Sequence, residues 1–352
     1  MRLCAAASLP DRRRVDPGDC ADGRAHRSSI IGASCVAAYH GCAMFDLLSA
    51  FSEVLLPVIV VVMVGYLLRR SFPLDARSLN RVSLYGLTPC LVFVTLLRTD
   101  VAGAEATRLM LQMALVMVAT TICAFLAAIP FRLSGSQRSG FLLTTTFMNS
   151  GNYGLSVSRF AFGDLGFQYA VIGYLVQAIL SQTLAVYLAS AGTASRRTAV
   201  GKVFRLPLIY AVLIALGLRL VGVRLDESNG SLAIGLFRGL RLLADAALPI
   251  LLLILGTQLA DRQRVTAGGL LATAAALRLL LSIPLGYGIG ILLGLSGLPL
   301  YVGTIQAAMP TAVNMIVLAV EFDAWPEFVS NGVVLTTLGS LVSLTILIAL
   351  LR

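Results

Sequence analysis

Lysine is nearly missing from this chain, histidine is scarce, and charged residues of every kind are thin. All but one of its 27 basic residues are arginine, Lys202 being the exception, and the histidines are His26 and His40. Charged residues make up 12% of 352 positions, against roughly a quarter in soluble globular proteins. With 58% apolar residues and a mean hydropathy of +0.88, a water-soluble fold is excluded. The cysteines at positions 4, 20, 35, 42, 90 and 123 lack the close pair spacings of metal knuckles and redox dithiols, so no metal, cofactor or disulfide framework is read. The net charge of +10 does not point to nucleic acid. From Met44 onward its basic residues stand singly or in pairs between apolar runs, the pattern that orients membrane-protein loops.

What is abundant is uncharged sequence. Runs at 82–97, 109–131, 139–158, 165–195, 279–320 and 328–351 carry no charge, and several exceed the roughly 20 residues that cross about 30 Å of hydrocarbon as helix. An all-α polytopic membrane protein is expected, with ten helices near 47–68, 79–97, 108–131, 139–163, 166–190, 203–222, 240–260, 266–294, 300–320 and 327–351. The run at 279–320 must turn, and Leu295-Ser296-Gly297-Leu298-Pro299 supplies the turn. Residues 1–43, with six arginines and no periodic apolar pattern, read as a disordered tail or an over-long start upstream of Met44.

The remainder falls into two halves, 44–195 and 196–352. Leu55-Leu56-Pro57-Val58-Ile59 is echoed by Arg205-Leu206-Pro207-Leu208-Ile209, and Leu87-Thr88-Pro89-Cys90-Leu91 by Ala247-Leu248-Pro249-Ile250-Leu251. Asn149-Ser150-Gly151-Asn152 in the fourth span aligns with Met309 to Asn314 in the ninth. Five spans per repeat is an odd number, so the second copy is expected to enter the membrane inverted. Loop charge places Arg69, Arg70, Arg77, Arg81, Arg132, Arg138, Arg196, Arg197, Lys202, Arg205, Arg262 and Arg264 on one side, taken as cytoplasmic. The opposite loops hold Arg98, Arg108, Arg159, Arg219, Arg224, Arg238 and Arg241. Both ends would then be periplasmic. The arginine, alanine and leucine usage suggests a GC-rich bacterial genome, and hence an inner membrane.

The chemistry sits in the middle of two spans. Thr144 to Ser156 places Asn149, Gly151, Asn152, Tyr153 and Gly154 where a helix should be continuous. Asparagine and glycine disfavour helix interiors, and each freed backbone group in hydrocarbon needs a partner or a wet cavity. Its counterpart holds Pro310, which removes an amide donor, beside Thr311 and Asn314. One break alone is commonly a kink or inter-helix glue. Two at matching repeat positions point to a transporter site, where amide donors and positive helix ends suit a carboxylate. Arg278 is the one charge deep in an apolar helix, with two functional roles open, neutralising an anionic substrate or holding its helix against the break, beside the bland reading that it snorkels to the interface. Gln177, Gln182, Gln258 and Gln306 are secondary polar contacts.

Asn149 to Leu155, Ala308 to Asn314, and Arg278 six residues before Pro284 together resemble the auxin efflux carrier family over residues 44–351. The likeness is strongest to bacterial members described as malate or malonate permeases. It implies two inverted five-helix repeats, a scaffold and a transport unit, broken helices four and nine crossing at the substrate site, and homodimers. Asn149, Gly151, Asn152, Tyr153, Pro310, Thr311, Asn314 and Arg278 would form or border that site. One departure stands out: many members carry proline in or just after the first break, where this chain has Ser156 after Leu155.

The expected function is alternating-access transport of a small organic anion, with no cofactor and with coupling to a proton, a sodium ion or the membrane potential left open. A receptor on the same framework is disfavoured by short loops, and an enzyme by the absence of clustered acids, histidines or a metal motif. A channel would differ by its conductance.

Overall fold

The computed structural model describes residues 44–99, 101, 103–190, 207–222, 231–260 and 268–352. The expected tail at 1–43 and the cations Arg196, Arg197, Lys202, Arg205, Arg224, Arg262 and Arg264 lie outside them, as does the side chain of Gln182. The described chain is helical: α1 (Met44–Ser71), α2 (Ala76–Arg98), α3 (Gly103–Phe131), α4 (Gly135–Thr146), α5 (Ser150–Ala189), α6 (Pro207–Leu220), α7 (Ser231–Ala260), α8 (Gly269–Leu292), α9 (Gly297–Ala307), α10 (Asn314–Glu321) and α11 (Pro326–Leu351). Among the described residues, seven helices are long and apolar enough to cross a membrane.

Proline writes local structure into these helices. Pro57, Pro89 and Pro284 each follow, by two or three residues, a widened turn at Phe51–Leu55, Ser83–Leu87 and Leu277–Leu281. A proline cannot donate to the carbonyl four residues back and its ring crowds that carbonyl, so the turn before it loosens into a π-bulge. The Leu56 amide accordingly donates to the Phe51 carbonyl, and the Thr88 amide to that of Ser83. Within α5 the break is sharper. Gly163 has φ 67° and ψ −159°, a conformation essentially restricted to glycine, so the 40-residue stretch is two helical segments at an angle.

Two groups of helices pack among themselves. In one, α1 lies along α7 while α2 packs on α6 and α7; in the other, α3, α5, α8 and α9 interlock and α11 covers α4 and α8. The α1–α7 contact is backbone to backbone. A Cβ at Gly256 would lie 2.7 Å from the Tyr66 amide nitrogen and overlap the Val62 carbonyl, and a Cβ at Gly65 would overlap the Leu253 carbonyl. Residues facing away from the partners, such as Val60, Met63, Val64 and Leu67 on α1 and Leu338, Val342 and Ile346 on α11, are apolar and exposed, as a lipid-facing surface requires.

Hydrogen bonds between distant loops show which helix ends share a face. The Ser136 hydroxyl donates to the Asp323 carbonyl at 2.6 Å. On the other face, Arg108 donates to the Gly294 carbonyl at 3.2 Å, Arg219 to those of Leu96 and Thr99 at 2.8 and 2.6 Å, and Arg352 to those of Phe160 and Ala161 at 3.2 and 3.1 Å while pairing with Glu53 at 2.9 Å. Arg238 and Arg241, expected in a loop, lie within a helix, because α7 begins at Ser231. At 1.5 Å per residue this helix is about 45 Å long, enough for its first turns to stand clear of the hydrocarbon.

The glycine contact makes a prediction. Gly256→Val should cost on the order of 1–3 kcal/mol, read as a lower melting temperature of the purified protein. Gly239→Ala, on the same helix but facing open space, should melt like the parent.

Candidate functional site at the crossed helix breaks

Neither α4, with 12 residues, nor α9, with 11, is long enough to cross a bilayer, since each spans only about 17 Å. Both stop short. α4 starts cleanly because Ser134 and Gln137 form a reciprocal capping box; it ends at Thr146, before Phe147-Met148-Asn149. α9 ends at Ala307, before Ala308 to Val313. The two non-helical stretches cross and pair antiparallel, with an isolated bridge between Met148 and Thr311. The Asn149 amide donates to the Pro310 carbonyl and the Ala312 amide to the Phe147 carbonyl, both at 2.8 Å.

Helix ends leave backbone groups without intrahelical partners, and a buried polar group without one is costly. Along the first break every carbonyl from Thr144 to Asn149 is accounted for. The Thr311 hydroxyl donates to Thr144 at 2.7 Å. Arg278 Nη1 donates to Thr145 and Thr146 at 3.3 and 3.0 Å. Ala312 serves Phe147, Gln177 Nε2 serves Met148 at 3.0 Å, and the Gly154 amide serves Asn149 at 3.0 Å. Across the crossing, Arg278 Nη2 donates to the Ala307 carbonyl, and the Thr311 amide donates to the Thr336 hydroxyl at 3.1 Å.

The expected site residues therefore divide. Asn149, Pro310, Thr311 and Arg278 meet directly at the crossing. Gly151, Asn152 and Tyr153 follow on the wide first turn of α5, Ser150–Gly154. The Tyr174 ring covers Gly151 so closely that a Cβ there would lie 2.7 Å from its Cε2. Tyr153 is buried and faces Ser340 of α11. Asn152 keeps 8% of its surface exposed. Asn314 stands apart, exposed at the start of α10. Of the two roles open to Arg278, the structure shows the second: its terminal nitrogens are on the helix ends.

The sequence does not single out several of the participants for this role. Thr144, Thr145 and Thr336 carry crossing bonds, while Gln177 holds the Met148 carbonyl and Gln306 Nε2 donates to the Ser158 hydroxyl at 3.1 Å. Their signal is polarity in apolar spans, which does not say which polar groups meet. Other buried groups at the crossing have no hydrogen-bond partner among the described residues: Asn149 Nδ2, and the hydroxyls of Thr146, Ser150 and Ser156. Among the described residues no group of three or more His, Cys, Asp or Glu could hold a metal ion.

Electrostatically the crossing is one-sided. Arg278 is fully buried, and no Asp or Glu among the described residues is buried. The carboxyl-terminal ends of α4 and α9 meet a guanidinium, whereas the amino-terminal ends of α5 and α10 meet no acid.

A family model described as "Membrane transport protein" matches residues 50–201 and 193–348. The chain belongs to this family, the auxin efflux carriers, and is a membrane transporter. It is similar to an uncharacterized transporter of Methanothermobacter thermautotrophicus, at 30% identity over 301 residues, 83% of this chain and 96% of that protein. A second uncharacterized transporter, from Methanocaldococcus jannaschii, is 21% identical over 300 residues, 82% of this chain and 95% of the relative. Auxin efflux carrier component 2 of Oryza sativa subsp. japonica is 32% identical over 149 residues, 42% of this chain and 23% of the plant protein. Within this transporter the crossed breaks are the candidate site.

The carbonyl accounting predicts a specific stability loss. Thr311→Val leaves the Thr144 carbonyl without its donor and should destabilise the folded protein by about 1–3 kcal/mol. Thr311→Ser, which keeps the hydroxyl, should recover most of the melting temperature.

Proposed function

We propose that this transporter carries a small organic anion, a mono- or dicarboxylate such as malate or malonate, by alternating access. The observation that carries the reading is the asymmetry of charge at the crossing. Arg278 neutralises the negative ends of α4 and α9, while the positive ends of α5 and α10 have no acidic partner. A helix amino terminus presents unpaired amides and roughly half a positive charge, so an anion is the complementary ligand. Asn152 and Asn314, each at such an end and each free of internal hydrogen bonds in the described structure, would orient a carboxylate with their amide donors.

The architecture proposed is ten spans in two inverted repeats. Counting α5 as two crossings at Gly163, joining α4 to the first part of α5 and α9 to α10 through their breaks, and adding α6 brings the seven long helices to ten. In this reading α1, α2, α6 and α7 form the scaffold, and homodimerise through it, while the remaining helices move against it. In this reading the arginine-rich loops face the cytoplasm and both ends of the chain are periplasmic, in a bacterial inner membrane.

Counterflow into proteoliposomes, with a panel of mono- and dicarboxylates, tests the substrate class. Uptake should saturate for at least one carboxylate. Asn152→Ala and Asn314→Ala should each weaken it by roughly 10- to 100-fold in apparent affinity, the worth of one hydrogen bond to a charged group. Unchanged uptake in both variants, with the folded state intact, would remove these residues from the site, and a panel without uptake would reject the anion reading.

A further inference from the structure

In transporters built on broken helices, the carboxyl-terminal ends of half-helices and the unwound carbonyls beside them coordinate the coupling cation. Here two such ends converge. α4 stops at Thr146 and α9 at Ala307, and the carbonyls of Thr145, Thr146 and Ala307 all accept from one guanidinium, that of Arg278. Each helix end carries about half a negative charge. Two together come to about one, which a single guanidinium balances.

We propose that Arg278 is a tethered cation standing where a free coupling cation would otherwise bind, so that the crossing works without sodium. The side chain is fully buried and reaches the carbonyls from α8, a third element. It therefore belongs to neither broken helix and acts on both. The local backbone of α8 supports this reach: Leu277–Leu281 is a π-bulge, and the Ser282 hydroxyl donates at 2.6 Å to the Arg278 carbonyl. No acidic side chain competes, since the described residues bury no Asp or Glu. A sodium ion entering the same three carbonyls would meet the guanidinium itself. Arg278 is thus a positioning residue that fixes the geometry of the crossing through backbone carbonyls.

A structural hydrogen-bond donor and a replacement cation differ in what rescues their loss. The test is thermal unfolding of the purified full chain in choline chloride, in sodium chloride, and in choline chloride with millimolar guanidinium chloride. Wild type and Arg278→Lys should melt at the same temperature in choline and sodium. Arg278→Ala and Arg278→Gln should melt lower in choline, and sodium or guanidinium should return most of the loss. Guanidinium raising a melting temperature is diagnostic, because as a denaturant it can only lower that of the parent. Gln keeps amide donors without the charge, so it carries the comparison if the alanine variant cannot be purified.

Three results would each overturn the proposal: Gln and Ala variants indifferent to every cation, a Lys variant melting as low as Gln, or a wild type stabilised by sodium over choline. The inference rests on the transport reading only for its consequence, that wild-type uptake is equal in choline and sodium. The melting experiment uses no substrate. A failed carboxylate panel would therefore reject the anion reading and leave the melting result standing.

Discussion

A helix that stops in the middle of a bilayer leaves carbonyls with no water to turn to, and the rest of this protein is arranged around that constraint. Each such group unpaired in hydrocarbon costs several kcal/mol, more than a marginally stable fold can absorb many times over. The solution is reciprocal. The two breaks cross, so that each supplies amides to the other, and Arg278, Thr311 and Gln177 take the carbonyls that remain. The crossing is then a shared structure: neither break could persist without its counterpart.

That arrangement explains how polar backbone becomes useful. With the negative helix ends neutralised internally, the positive ends are what is left over, and the proposed anion reading rests on them. It also explains why the surrounding helices are so plain. α1, α7 and α11 contribute close packing and an apolar outer surface, and α11 adds the Thr336 hydroxyl that receives the Thr311 amide. The first turn of α5, beside the crossing, also packs on α7, so the two groups of helices touch at the site.

Much of this was legible in the residues. Hydropathy determined that the chain is a helical membrane protein. Asn149 and Pro310 to Val313 lie in the breaks, but the first break runs from Phe147 to Asn149, and Ser150 to Gly154, expected within it, forms the wide first turn of α5. Helix starts were harder: α7 already contains Arg238 and Arg241, charges that also suit a loop.

What the sequence could not decide was which groups meet. Arg278 was visible as a buried charge, yet the choice between facing a substrate and facing the backbone depended on where α4 and α9 end in space. The same holds for Thr311 and Thr144, 167 positions apart, and for Gln177, whose polarity was evident and whose partner was not. Asn152 and Asn314 hold corresponding places in the sequence, but one is buried and the other exposed. Periodicity and composition report what each residue prefers; pairing across a crossing is a property of two segments at once, and only the tertiary structure brings them together.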